Sequence, residues 1–474
     1  MDKQALFSYL KENASLFTQL SDDIWAHPEL SLREFGAMER YCAILKKLGF
    51  TVETGIAGVA TAFSGTFGSG RPVIGILGEY DALDSLSQEA NALERKECVR
   101  GGAGHGCGHN LLGAGALAAA AAVQYALSQL PEGSGTIIFY GCPGEEGGAG
   151  KAFMARAGVF KQLDAALTWH PEDVNEVVTG RCQASYQIEY KFTGTAAHAA
   201  GCPYLGRSAL DAVELMNVGV QFLREHIPPY HGIHYAITDA GGDAPNVVQS
   251  RAQVLYAIRA PKITQVKELY NRVCNIAKGA ALMTETTVEI RQVAAYSNMI
   301  SSKMLADHMN AYLEKLGPIP YTEQEYTYAQ EFQQALSDQD KKQLPTIARD
   351  YFGSTASEAM KKPIFEPIAY QNLYSDLKYS TDVGDVSWVV PTVHLNIPTF
   401  AAGTALHSWQ AVAQGKSAIA HKGMLYAAKI MALTALDFLQ NPELVTEARK
   451  ELTETLDGET YPNPLPKDLK PEIW

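Results

Sequence analysis

Apolar positions along this chain switch between two spacings. Over residues 5 to 20 and 35 to 48 they recur every three or four residues, predicting helices, the second closed by Gly49. Short apolar runs then alternate with loops. Val73 to Leu77 leads into Glu79-Tyr80-Asp81, Thr136 to Tyr140 into Gly141-Cys-Pro-Gly-Glu145-Glu146, and Ala165 to Thr168 into Trp169-His170-Pro171. Each predicted strand delivers polar residues at its carboxyl end, where open α/β sheets place their ligands. The run Leu111 to Val123 is apolar but shorter than the roughly 18 residues a membrane span requires, and reads as a buried helix.

Between 183 and 298 the pattern changes. Gln183 to Thr193 alternates as a half-exposed strand, Ser208 to Glu225 has helical spacing, and Ile233 to Thr238 and Ala252 to Arg259 read as strands. A helix over Ile263 to Ala281 and a strand over Thr287 to Ala295 complete a β-α-β-β-α-β order, a split βαβ unit with one face or edge free for a second copy. Helical and strand-loop segments follow, with a helix from about Gly415 to Leu439 and a polar, proline-rich end. The expected fold is therefore α/β, a mixed and mostly parallel sheet flanked by helices over 1–182 and 299–474, with a ferredoxin-like α+β insertion at 183–298.

Composition narrows the function. A chain of 474 residues with 46% hydrophobic and 19% charged residues is that of a soluble protein too long for one ordinary core. A net charge of -13 argues against nucleic acid or an anionic membrane as partner. The seven cysteines are scattered and odd in number, and the amino terminus lacks a basic region followed by an apolar run, so a reduced, cytoplasmic protein is expected.

The densest chemistry lies in His105-Gly-Cys107-Gly-His109-Asn110 and the adjacent acids Glu145 and Glu146. Glycines around Cys107 and His109 let a thiolate and an imidazole converge. Together with His170 and a distant Gly403-Thr-Ala-Leu-His407, these give the candidate ligands Cys107, His109, Glu146, His170 and His407. Taken singly, a buried Cys, a packed His or a surface acid pair is an equally good reading of each. Taken together, five donors exceed one closed tetrahedral site and suit two ions sharing a bridging ligand. Such donors fit Zn, Mn, Co or Ni, with Mn or Zn expected. Glu145, beside the ligand Glu146, is the candidate general base. Asp81 is placed to fix the tautomer of a ligand histidine, or else is a helix cap or turn acid.

Gly-Glu-Tyr-Asp81-Ala-Leu, His-Gly-Cys107-Gly-His109-Asn, Gly-Glu145-Glu146-Gly, Trp-His170-Pro and Leu-His407-Ser-Trp409 resemble the metal-dependent amidohydrolase and carboxypeptidase family of aminoacylases, auxin-conjugate hydrolases and glutamate carboxypeptidases. Ser380-Thr-Asp382-Val-Gly-Asp385-Val-Ser-Trp388 and Asn110, where acylases usually have Asp, look most like the members that cleave p-aminobenzoyl-glutamate. The resemblance implies that Cys107 replaces a bridging aspartate, that Glu145 is the base, and that 183–298 is a lid and dimerisation domain. It implies that His198 reaches a partner's active site to steady an oxyanion, and that Asn246 and Arg259 hold a substrate carboxylate. Asp382 and Asp385 are left without a defined role, since a helix start also favours acids. The expected reaction is hydrolysis of p-aminobenzoyl-glutamate to p-aminobenzoate and glutamate, in a homodimer or a heterodimer with a paralogous subunit. The alternatives are an N-acyl-amino-acid or dipeptide hydrolase and a non-catalytic metal-binding subunit.

Overall fold

The computed structural model describes residues 3–180, 182–369 and 379–471. The outer limits 1 and 474 and position 181 of the expected segments lie outside the described residues. Among the described residues, eleven strands form two sheets: β1 (Thr51–Thr54), β2 (Phe63–Ser69), β3 (Val73–Gly78), β4 (Gly135–Gly141), β5 (Ala165–Glu172), β6 (Glu176–Val178), β7 (Ala184–Thr193), β8 (Gly232–Asp239), β9 (Arg251–Ala260), β10 (Thr287–Tyr296) and β11 (Thr392–Pro398). The larger sheet has the order β1-β2-β4-β3-β5-β11-β6. Its four central strands, β4, β3, β5 and β11, run parallel, and antiparallel pairings close both edges.

The central strands are buried on both faces, which explains their continuous apolar runs. Helix His109–Leu127 lies across this sheet and is buried along nearly all its length. It is the one described helix long and apolar enough to cross a membrane, but 89% of its apolar window is buried inside the protein. Its close seat depends on glycine. A Cβ at Gly113 would stand 2.2 Å from Tyr41 Oη and 2.6 Å from the Glu79 carbonyl oxygen. Helix Ala418–Gln440 packs beside it and completes the layer.

The smaller sheet, β10-β7-β9-β8, is antiparallel throughout. Helices Ala209–Arg224 and Ile263–Thr284 pack together and cover one of its faces. β8 is an edge strand whose side chains are mostly exposed, Tyr235 and Ile237 among them. Leu215, Val218 and Phe222 form an exposed apolar stripe at helical spacing on Ala209–Arg224.

One helical reading from the sequence changes. The first helix splits at Asn13 into Lys3–Glu12 and Ala14–Ala26. The helix expected from about Gly415 to Leu439 is found as Ala418–Gln440, started by the Ser417 hydroxyl accepting from the Ala420 N–H, and a separate short helix, Trp409–Gln414, precedes it. The short hairpin β1–β2 was invisible to periodicity, since β1 is four residues long and largely exposed.

Candidate metal centre

Three strand ends and two glycine turns build the site. Gly108 takes a left-handed conformation (φ 71°) that ends the His105–Gly108 turn and launches the helix whose first residue is His109. Only glycine fits there, because a Cβ would come within 2.9 Å of Pro171 Cβ, next to His170 at the end of β5. After β4, the chain turns at Gly144 (φ 68°), whose N–H donates to buried Glu34, and presents Glu145 and Glu146. His407 enters from the far end of the chain, also at positive φ, with its N–H on the Gly106 carbonyl.

The five candidate ligands meet as two triplets sharing one sulfur. Ligating atoms of Cys107, His109 and His170 lie within 4.8 Å of one another, as do those of Cys107, Glu146 and His407. Cys107 Sγ is 3.5 Å from His170 Nε2, and Glu146 Oε2 is 3.4 Å from His407 Nε2. The distal nitrogens are also held. His109 Nδ1 sits 2.9 Å from Asp81 Oδ1, and His170 Nδ1 sits 2.8 Å from the Pro171 carbonyl oxygen. As N–H donors these nitrogens leave both Nε2 lone pairs facing the sulfur.

The donor set fits two divalent cations. His109 Nε2 and Glu146 Oε1 are buried without a hydrogen-bond partner at the centre of the cluster. Burial and the neighbouring acids Glu79 and Glu146 push the Glu145 carboxyl well above its ordinary range, and burial likewise raises Glu146. The Cys107 thiol is driven up by burial and by Glu146 and Glu145. Positive charge at the centre would relieve every one of these penalties.

Sequence reasoning passed over a second layer. Glu79 lines the cavity with its Oε2 3.3 Å from His109 Nε2, and its Oε1 is 2.7 Å from Lys151 Nζ. Lys151, fully buried, is also paired with Asp382, whose other oxygen accepts from the Lys151 N–H at 2.8 Å. Asp385 accepts from the Ser297 hydroxyl (2.7 Å), the Ser297 N–H (3.1 Å) and Tyr461 Oη (2.8 Å). Thus Asp382 steadies the acid beneath His109, and Asp385 fastens the chain leaving β10. The only available signal was a lysine inside the apolar stretch Gly150–Arg156.

A cavity of about 410 Å³ covers the cluster. Cys107, Glu145, Glu146, His170 and His407 line it, and Arg259 enters from the smaller sheet, donating to Ser380 Oγ at 2.9 Å. His198 and Asn246 do not line it. They lie exposed on neighbouring loops of the insertion, where the Ala199 N–H donates to the Asn246 carbonyl. His198 Nδ1 accepts from the Gly201 and Ala200 N–H groups at 3.0 and 3.2 Å, which leaves its Nε2–H free to donate outward.

Comparison with known proteins points one way. The model of peptidase family M20/M25/M40 matches residues 75–367. The chain is 46% identical to one of the subunits of p-aminobenzoyl-glutamate hydrolase of Escherichia coli (strain K12), over 96% of this chain and 95% of that one. It is 29% identical to Xaa-Arg dipeptidase of Mus musculus, over 96% of this chain and 93% of the relative. A solved Bacillus subtilis structure described as a dinuclear metal-binding peptidase of the M20 family shares the fold at 16% identity and a TM-score of 0.54, covering 91% of this chain and 99% of its own.

Proposed function

The chain belongs to peptidase family M20/M25/M40, and on that premise we propose that it hydrolyses p-aminobenzoyl-glutamate to p-aminobenzoate and glutamate. The observation carrying this reading is near-full-length similarity to a subunit of that hydrolase, combined with five converging donors beside the half-buried acid Glu145. Residues 1–182 and 299–474 form the catalytic part, and 183–298 the lid.

Cys107, Glu146 and His407 would hold one divalent ion and Cys107, His109 and His170 another, Mn or Zn. When bound, such a pair polarises an amide carbonyl and lowers the pKa of water to about 7. Glu145 takes a proton from the water as its oxygen attacks the carbonyl carbon. It returns that proton to the amide nitrogen as the C–N bond breaks, so the leaving glutamate departs as a neutral amine. Arg259, with its guanidinium fork on the cavity wall, binds the glutamate carboxylate. Asn246, beside the His198 loop, would offer its amide to such a carboxylate from across the subunit interface.

His198, with an outward Nε2–H, donates to the developing oxyanion of a partner chain's site. The exposed edge β8 and the apolar stripe Leu215, Val218 and Phe222 offer that partner a docking face. The partner is a second copy or a paralogous subunit, in keeping with a relative that is itself named as a subunit. A reducing cytoplasm suits the free, buried Cys107.

Similarity to a dipeptidase favours dipeptide or N-acyl-amino-acid hydrolysis as the second reading. A binding-only role fits poorly with a complete ligand set and base. Purified protein supplied with Mn or Zn and assayed on p-aminobenzoyl-glutamate, hippurate-like conjugates and dipeptides decides between them. Turnover of the first supports the proposal. Turnover of the others alone rejects it.

A further inference from the structure

One face of the parallel sheet carries polar atoms that neither the ligand set nor the base uses. β5 and β11 are adjacent and parallel, with Thr168 in register with His394 and His170 with Asn396. Alternation puts Thr168, His170, His394 and Asn396 on the same side, and all four line the cavity. Thr168 Oγ1 and both ring nitrogens of His394 are buried with no hydrogen bond of good geometry, the side chain nearest to pairing with His394 being that of Asn396. Asn396 Nδ2 turns away to Glu176 Oε2 at 3.1 Å. A hydroxyl and an imidazole buried unpaired are unfavourable, so a cavity wall is where such atoms meet a ligand or water.

Position and charge narrow the ligand. Thr168 and His394 lie one two-residue strand step deeper than His170, roughly 6.6 Å, about the length of a para-substituted benzoyl group. At this end Glu79, which is paired with Lys151, faces His394. The cation Arg259 enters instead from the smaller sheet. A substrate carboxylate is drawn to Arg259, whereas an uncharged group with N–H donors finds acceptors at the deep end.

We propose that Thr168 and His394 form the acyl subsite and select acyl groups bearing an amino donor at their far end. His394 accepts one N–H through its unprotonated nitrogen, and Thr168 Oγ1 accepts the other. The inference rests on the reading that aroyl-glutamates are the substrates.

The test measures kcat/KM for p-aminobenzoyl-glutamate and for benzoyl-glutamate, which lacks only the amine, in the metal-loaded wild type, His394→Leu and Thr168→Val. The wild type should prefer the amine by at least about tenfold, the worth of one well-made hydrogen bond. Each substitution should pull the ratio toward one, a readout that general damage to the fold does not move. Calorimetric binding of p-aminobenzoate and benzoate to the same three proteins gives the preference without turnover. If the wild type cleaves neither aroyl-glutamate, the proposed function fails while the binding ratio still judges the subsite. A binding ratio near one in the wild type, or a preference that both variants retain, overturns the subsite and leaves those atoms to bound water.

Discussion

Asp81 and His109 are joined through a single 2.9 Å contact, and the other oxygen of the same carboxylate accepts the Glu146 N–H at the same distance. One buried acid thus positions a member of each ligand triplet. Its ionised form is strongly favoured: although burial opposes ionisation, the hydrogen bond and charge of His109 outweigh it, holding the carboxyl at about 2. Asp81→Asn keeps the shape but sets an amide against an imidazole N–H. Metal affinity or kcat should fall by about 10- to 100-fold, checked by elemental analysis and steady-state kinetics. Unchanged values for both would remove Asp81 from the site.

Glu145 and Cys107 should fail in opposite ways. Glu145→Gln is expected to lower kcat by at least about 100-fold while the chain retains its metal. Cys107→Ala, lacking the shared sulfur, should lose metal from both triplets along with activity. Metal counts and turnover on the two variants check this contrast. A folded wild type that works after exhaustive chelation would refute both assignments.

His198 can be examined by mixing inactive variants. In a homodimer, His198→Ala and Glu145→Gln chains each lack what the other supplies across the interface. Co-refolded or exchanged in equal amounts, they should recover about a quarter of wild-type activity, because half the dimers are mixed and each has one intact site. No recovery, with exchange verified by native mass spectrometry, would deny His198 a role between two copies of this chain.

His105 is the ring in the glycine-rich turn that binds no metal in this reading. It is buried, with Nε2 3.2 Å from the Ile24 carbonyl oxygen, and burial pushes its pKa down to about 3. The unfolded chain takes up a proton near pH 6.5 that the folded chain refuses. Its stabilising contribution is therefore complete above pH 6.5 and is lost as the pH falls toward 3. Between pH 7 and 4.5, chelator-treated wild type should lose about 2 kcal/mol more stability than His105→Gln, as measured by urea unfolding. Equal losses would show that the histidine is already protonated in the fold.

The candidate ligands were readable in the sequence because each follows a strand end or a glycine turn, where local rules govern direction. The insertion was readable because its strands alternate and its two helices keep their period. What escaped depended on distant contacts. Lys151 and Asp382 are 231 positions apart, and neither has a local pattern announcing the other. Glu79 stood two residues before Asp81 in plain view, yet only the strand geometry aims it at His109. His198 and Asn246 lie outside this chain's own cavity, and only the family resemblance, not any local pattern, gave them roles.

The crowding of helix His109–Leu127 bears on how such a protein can change over generations. With Tyr41 and the Glu79 carbonyl pressed against Gly113, that helix tolerates almost no shift, and the hydrolytic apparatus at its head is a fixed datum. β11 contributes wall rather than ligands, so replacements at His394 or Asn396 are free to retune which acyl groups enter. New substrate preferences in descendants of this scaffold should arise on that strand, with the bond-breaking step inherited intact.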